Sequence, residues 1–174
     1  MRSQLYITLL ILGFGAGFTG AAAVAAKDEK PAAKTVDKVL VLKAERKMFL
    51  LHKNQRLKEY SISLGDDPIG HKQQQGDERT PEGHYIIDYR NPQSRYHLSL
   101  HINYPNAADK QRARQKGVNP GGDIFIHGLP NGMGLLSSAF KHSDWTDGCI
   151  AVTNEEIEEI WRLVKNGTPI EIRP

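Results

Sequence analysis

Asp144-Trp145-Thr146-Asp147-Gly148-Cys149-Ile150-Ala151-Val152 carries the single cysteine of this 174-residue chain. Twenty residues upstream lies Ile124-Phe125-Ile126-His127-Gly128, a short apolar run that ends in a histidine and a glycine. A chain with one cysteine forms no internal disulfide, so its thiol is either buried and inert or kept for reactivity. A thiol and an imidazole together are the minimal pair for cysteine nucleophilic catalysis, because histidine accepts the thiol proton near neutral pH.

Residues 1–26 read as an export signal. Arg2 gives a positive start, Leu5 to Phe18 is mostly apolar, and Ala21 to Ala26 offers small-residue cleavage sites. The uncharged stretch from Ser3 to Ala26 is also long enough to span a bilayer, so an uncleaved anchor, a membrane tether, is the alternative. Residues 27–36 are short, polar and rich in Ala and Pro, as a linker is. The remainder, 37–174, is expected to be one domain large enough for its own core. The formal charge of +3 becomes +2 when the signal with Arg2 is removed, too weak to argue for nucleic acid. Nothing in the chain indicates an organic cofactor or an oligomeric state.

The front of the domain reads as β. Lys38 to Leu42, Met48 to His52 and Leu57 to Leu64 are short runs separated by polar turns, which suggests an antiparallel meander. Gly76 to Gly83 is a breaker-rich loop before the strand Tyr85 to Tyr89. Tyr96 to Asn103 alternates, with Tyr96, Leu98, Leu100 and Ile102 on one face and His97, Ser99, His101 and Asn103 on the other. His97 and His101 are read two ways, as a solvent-facing edge or as part of a substrate cleft. Asn106 to Lys116 is charged, a short helix or ordered loop whose cations form a solvated surface. A helix is expected over Asn154 to Val164, where Thr153 and Glu156 make a capping box and Ile157, Ile160, Trp161 and Val164 share a face. Pro169 to Ile172 follows as a last strand. The fold class is mainly β, a sandwich or barrel with one or two short helices packed on it.

The order His127-Gly128, loop, Thr146-Asp147-Gly148-Cys149, helix resembles the catalytic segment of the L,D-transpeptidases, the YkuD-type domain. Gly76-Asp77-Glu78-Arg79-Thr80-Pro81-Glu82-Gly83 is similar to that family's Gly-Asp-x-x-Thr-Pro-x-Gly loop. Leu98-Ser99-Leu100 leading to Tyr104-Pro105-Asn106, and the helix after the cysteine, match it in the same order. The resemblance covers about Lys38 to Pro174. It implies an L,D-transpeptidase-like β-sandwich or barrel, Cys149 as nucleophile, His127 as base and peptidoglycan stem peptides as substrate in the periplasm or cell envelope. Two positions depart from the family: Asp147 stands where a second histidine precedes Gly-Cys, and Ala151 where a polar residue such as Arg is usual.

The chemistry expected of this pair is a thioester on Cys149 that expels D-alanine. Transfer to an amine makes a cross-link. Transfer to water makes an L,D-endopeptidase or carboxypeptidase, and a wall-binding domain without activity is the remaining alternative. Gly148 and the Cys149 amide are expected at the oxyanion site, and Gly128 beside the base. Asp147 either modulates the ionisation of the pair, grips the ammonium of diaminopimelate, or closes a turn with Gly148. Thr146 is a hydrogen-bonding neighbour of the thiol or an ordinary turn hydroxyl. Trp145 is expected to pack the loop with its indole N–H partnered. Gly128 to Gly134 with Leu135 to Phe140 is expected to wall the cleft on one side, and Gly76 to Gly83 either walls the other or connects a hairpin. His97, His101, His127 and Cys149 could ligate zinc, but no Cys-x-x-Cys or His-Glu-x-x-His spacing is present, so no metal is expected.

Overall fold

The computed structural model describes residues 35–140 and 143–174. The signal or anchor over 1–26 and nearly all of the linker over 27–36 lie outside the described residues. Among the described residues, no helix is long and apolar enough to cross a membrane.

The chain runs β1 (Lys38–Leu42), β2 (Lys47–His52), β3 (Gln55–Ser61), β4 (Gly83–Ser94), β5 (His97–Ile102), α1 (Ala107–Lys116) and β6 (Ile124–His127). It continues through a 3-10 turn at Gly134–Leu136, α2 (Ser137–Phe140), β7 (Ile150–Ala151), α3 (Asn154–Leu163) and β8 (Thr168–Arg173). The eight strands form one sheet in the order β3-β2-β1-β8-β4-β5-β6-β7. The expected meander is present: β1 to β3 pair antiparallel. Its β2–β3 turn uses Lys53 at φ 48° and Asn54 at φ 64°, the mirror-image geometry whose twist suits a two-residue hairpin. The last strand lies in mid-sheet, parallel to β1 and antiparallel to β4, so residues at the two ends of the domain are stitched together.

The sheet curls until its edges meet. Ser63, just past β3, exchanges both backbone hydrogen bonds with Ala151 of β7, each at 2.9 Å. Inside, the alternating apolar positions bury Val39, Val41, Met48, Leu50, Ile87, Leu100, Ile102, Ile126 and Ile150. Each such side chain stabilises the fold by roughly 1.5–3 kcal/mol relative to exposure. Helix α3 packs across β5 and contributes Ile157 and Ile160 to the same core. Thr153 accepts the Glu156 N–H at 3.2 Å while the Glu156 carboxylate accepts the Thr153 N–H at 2.9 Å, the expected capping box.

Helix α1 forms where a helix or loop was expected, capped by Asn106 and Asp109. The expectation of one or two helices is exceeded by the four-residue α2 and the 3-10 turn, because Gly134 to Phe140 carries no helical periodicity to announce them.

Candidate active site

The parallel pair β6–β7 builds the site. It sets Ile126 opposite Ile150 and His127 opposite Ala151, so Cys149, one residue before β7, lies beside the Phe125 end of β6. The Cys149 sulfur accepts the Phe125 N–H at 3.4 Å and the thiol reaches the Asp123 carbonyl at 3.5 Å. Cys149 and His127 line the same cleft of about 1060 Å³.

His127 is buried, with 4% of its surface exposed. Its Nδ1 donates to the Gly128 carbonyl at 2.7 Å, which assigns the ring proton to Nδ1 and makes Nε2 the basic nitrogen. Tyr96 lies over the imidazole at 4.5 Å between centroids, and Trp145 meets its edge at 5.7 Å. Burial pulls the imidazole pKa down to about 4, with the Gly128 bond opposing in part. Burial likewise pushes the Cys149 thiol up to about 11. The Phe125 N–H and the charge of Lys72 lower it, while the charges of Asp147 and Asp123 raise it. Both charged forms are disfavoured, so the resting pair is neutral thiol and neutral imidazole.

The loop that carries the thiol is strapped down. Asp144 takes the Arg46 guanidinium at 3.0 Å from Nε and 2.7 Å from Nη2, and also accepts the Leu64 N–H at 2.9 Å. The Trp145 and Thr146 N–H groups both donate to the Leu64 carbonyl at 3.1 Å. Gly148 sits at φ +115°, and a Cβ there would lie 2.5 Å from the Arg79 carbonyl oxygen, so only glycine fits. Gly128 is similarly confined, since a Cβ would lie 2.7 Å from Asn154 Oδ1.

Several expectations are refined by this geometry. Thr146 is more than a turn hydroxyl: its Oγ1 donates to the Cys149 carbonyl at 2.8 Å and accepts the Gly148 N–H at 3.2 Å. The Gly148 amide is thereby engaged by the threonine hydroxyl. Asp147 is exposed in the cleft beside the thiol. His97 and His101 fall outside the cleft lining. His97 pairs with Glu158 of α3 at 2.8 Å, and His101 pairs with Asp88 at 2.6 Å and stacks on Tyr89. The reason is local: His97 takes φ +64° at the β4–β5 turn, and β4 shifts register between Ile87 and Tyr89, which brings Asp88 and Tyr89 to His101. The same turn moves Tyr96 off the apolar face and over His127, while Ser99, opposite His127 in the sheet, does line the cleft.

The Gly76 to Gly83 loop walls the cleft through Gly76 and Glu78. The opposite wall comes from Asn91 to Tyr96 and not from Leu135 to Phe140. That segment instead backs the site, with Phe140 edge-on to Trp145 at 5.0 Å. The buried Trp145 Nε1 finds no hydrogen-bond partner among the described residues, against expectation. Lys72, also in the cleft, carried no motif signal at all. Among the described residues, no group of three or more His, Cys, Asp or Glu could hold a metal ion.

The family model YkuD, L,D-transpeptidase catalytic domain, matches residues 37–172. YafK of Escherichia coli (strain K12), an L,D-transpeptidase by name, is 31% identical over 132 residues, which cover 72% of this chain and 46% of YafK. The chain thus spans less than half the length of the curated relatives it matches. Bd1075 of Bdellovibrio bacteriovorus superposes with a TM-score of 0.58 at 29% identity, over 80% of this chain and 48% of that one. The helical cell shape determining protein Pgp2 of Campylobacter jejuni gives 0.61 at 25% identity, over 79% and 47%. With the thiol, the imidazole and the glycines of the motif in one cleft of a curled β-sheet, and the family model covering nearly all of the domain, the chain belongs to the YkuD family of L,D-transpeptidase catalytic domains.

Proposed function

We propose that this chain is an exported cell-wall enzyme that takes an acyl group from a peptidoglycan tetrapeptide stem onto Cys149 and passes it to an amine. The observation that carries this reading is that His127, at the end of β6, and Cys149, just before the β7 strand paired to it, line one cleft. Because both groups rest neutral, the proton moves as the bond forms. His127 Nε2 takes the thiol proton while Cys149 Sγ attacks the carbonyl of the diaminopimelate–D-alanine bond. The Cys149 N–H faces the developing oxyanion, a contact worth about 3 kcal/mol to the transition state. The tetrahedral intermediate collapses as the imidazolium returns its proton to the leaving amine, and D-alanine departs. An acceptor amine then attacks the thioester and restores the free thiol.

A cleft of about 1060 Å³ has room for an extended peptide stem. The export reading rests on residues 1–26. The similarity to a helical cell shape determining protein supports a wall substrate. Product analysis tests the reading. Incubation with tetrapeptide muropeptides should release D-alanine and yield cross-linked dimers. Tripeptides without dimers would assign the acyl group to water, and unchanged tetrapeptides would refute the proposal.

A further inference from the structure

One cation in the cleft is unlike the others. Lys72 is 3% exposed yet lines the same space as Cys149 and His127. Its ammonium donates to the Asp77 carboxylate at 2.8 Å and to the Gln74 carbonyl at 3.2 Å, which uses two of its three N–H bonds. Asp77 is itself divided among several donors, accepting the Gln73 N–H at 2.7 Å, the Gln74 N–H at 3.1 Å and the Arg79 N–H at 3.2 Å. Other nearby cations are committed elsewhere. Lys43 is bound to Gly70, Thr80 and Glu82, Arg79 to Asp67, and Arg46 to Asp144. Arg95 also lines the cleft but is exposed, so its charge is screened by water.

The carboxylates of the lining, Glu78, Asp123 and Asp147, repel an anion from the rest of the cleft. The loop that carries Lys72 also packs closely against the segment before the nucleophile. The Glu78 carbonyl oxygen lies 1.8 Å from where a Cβ on Gly65 would fall, and the Arg79 carbonyl oxygen 2.5 Å from where one on Gly148 would fall. The Lys72 charge is felt at the Cys149 thiol. A desolvated ammonium on a rigid loop beside the reacting sulfur attracts a carboxylate more strongly than an exposed one does.

We propose that Lys72 is a specificity residue whose ammonium binds the free C-terminal carboxylate of the stem peptide, the one that leaves on D-alanine. This rests on the stem-peptide reading above. It accounts for a burial of charge that a purely loop-holding lysine does not require, since an uncharged donor could satisfy Asp77 and Gln74 without that desolvation. A stem extended by one further residue would place an amide where the carboxylate belongs and would lose the contact.

The test is made on the full chain with Cys149→Ala, so that binding is read without turnover. Calorimetry compares a stem tetrapeptide with the same peptide carrying a C-terminal amide. The acid should bind at least about tenfold more tightly than the amide, as expected for a charge-assisted contact. Adding Lys72→Met should erase that preference while leaving the affinity for the amide nearly unchanged, and Lys72→Arg should restore part of it. A lysine that only holds the loop would weaken both peptides equally, which overturns the proposal. Equal affinity for acid and amide in the Lys72 protein, or binding of neither, overturns it without any lysine variant having to fold. Failure of the stem-peptide reading shows separately, as unchanged tetrapeptides with the wild-type enzyme.

Discussion

Replacing His127 by asparagine should remove one identifiable part of the pH dependence of stability. In the folded protein the imidazole is neutral with a pKa near 4, pulled down from 6.5 by burial among Tyr96, Trp145 and the sheet. As the pH falls from 6.5 toward 4, the unfolded chain binds a proton at this position and the folded chain does not. Stability is therefore lost on acidification through that window and is fully present above it. Two and a half units at 1.36 kcal/mol each come to about 3 kcal/mol. Carboxylates are common to both proteins, so a difference cancels them, and Asp77, held despite its burial below the usual carboxylate range by the N–H groups and the Lys72 ammonium around it, titrates below this window. Asparagine keeps a donor for the Gly128 carbonyl, which limits the cost of the substitution itself. Urea denaturation at pH 7 and at pH 4.5 measures the effect. The wild type should lose about 2 kcal/mol more than His127→Asn between those conditions, the part of the full linkage that falls between pH 7 and pH 4.5. Parallel losses would mean that His127 is not held neutral in the fold, and the resting-pair argument would fall with it.

Three further outcomes follow from the same geometry. Alkylation of Cys149 by iodoacetamide should keep accelerating toward pH 11, and at pH 7 should run about 100-fold slower than an unperturbed thiol, since two pKa units set the thiolate fraction; a plateau near pH 9 would contradict the burial of the thiol. Gly148→Ala forces a Cβ to 2.5 Å from the Arg79 carbonyl at φ +115°, so it should cost about 2 kcal/mol and also slow acylation, read together by thermal melting and adduct formation. Asp144→Ala strands the Leu64 N–H and the Arg46 guanidinium, so chemical denaturation should register a loss of about 2–3 kcal/mol with its strongest protection change over residues 143–149 in hydrogen exchange.

Much of this is legible in the sequence, and the boundary has physical causes. The meander and α3 are local: turn chemistry and the Thr153–Glu156 box act within a few residues, so they are visible in a short window. The likeness of the His127-Gly128 and Gly148-Cys149 segments to a known family located the cleft because those glycines are confined, Gly148 by the Arg79 carbonyl at 2.5 Å and Gly128 by the Asn154 side chain at 2.7 Å. Contacts made across the sheet were not legible. Closure through Ser63 and Ala151, separated by 88 residues, depends on curl and not on pattern. Strict alternation put His97 and His101 with Ser99, yet a positive φ at His97 and a register shift in β4 left only Ser99 in the cleft. Lys72 was invisible for a similar reason. Its burial comes from the Asp77 loop folding back over it, and a lone lysine before a polar loop reads as solvent-exposed.

The central claim is covalent chemistry at Cys149, and intact-protein mass spectrometry addresses it most directly. The wild-type chain and Cys149→Ala are each incubated with tetrapeptide muropeptides and sampled at short times. The account predicts an adduct on the wild type equal to the stem less D-alanine, labile to hydroxylamine as a thioester is, and none on the variant. An adduct of equal yield on Cys149→Ala, or D-alanine released equally by both proteins, would contradict it.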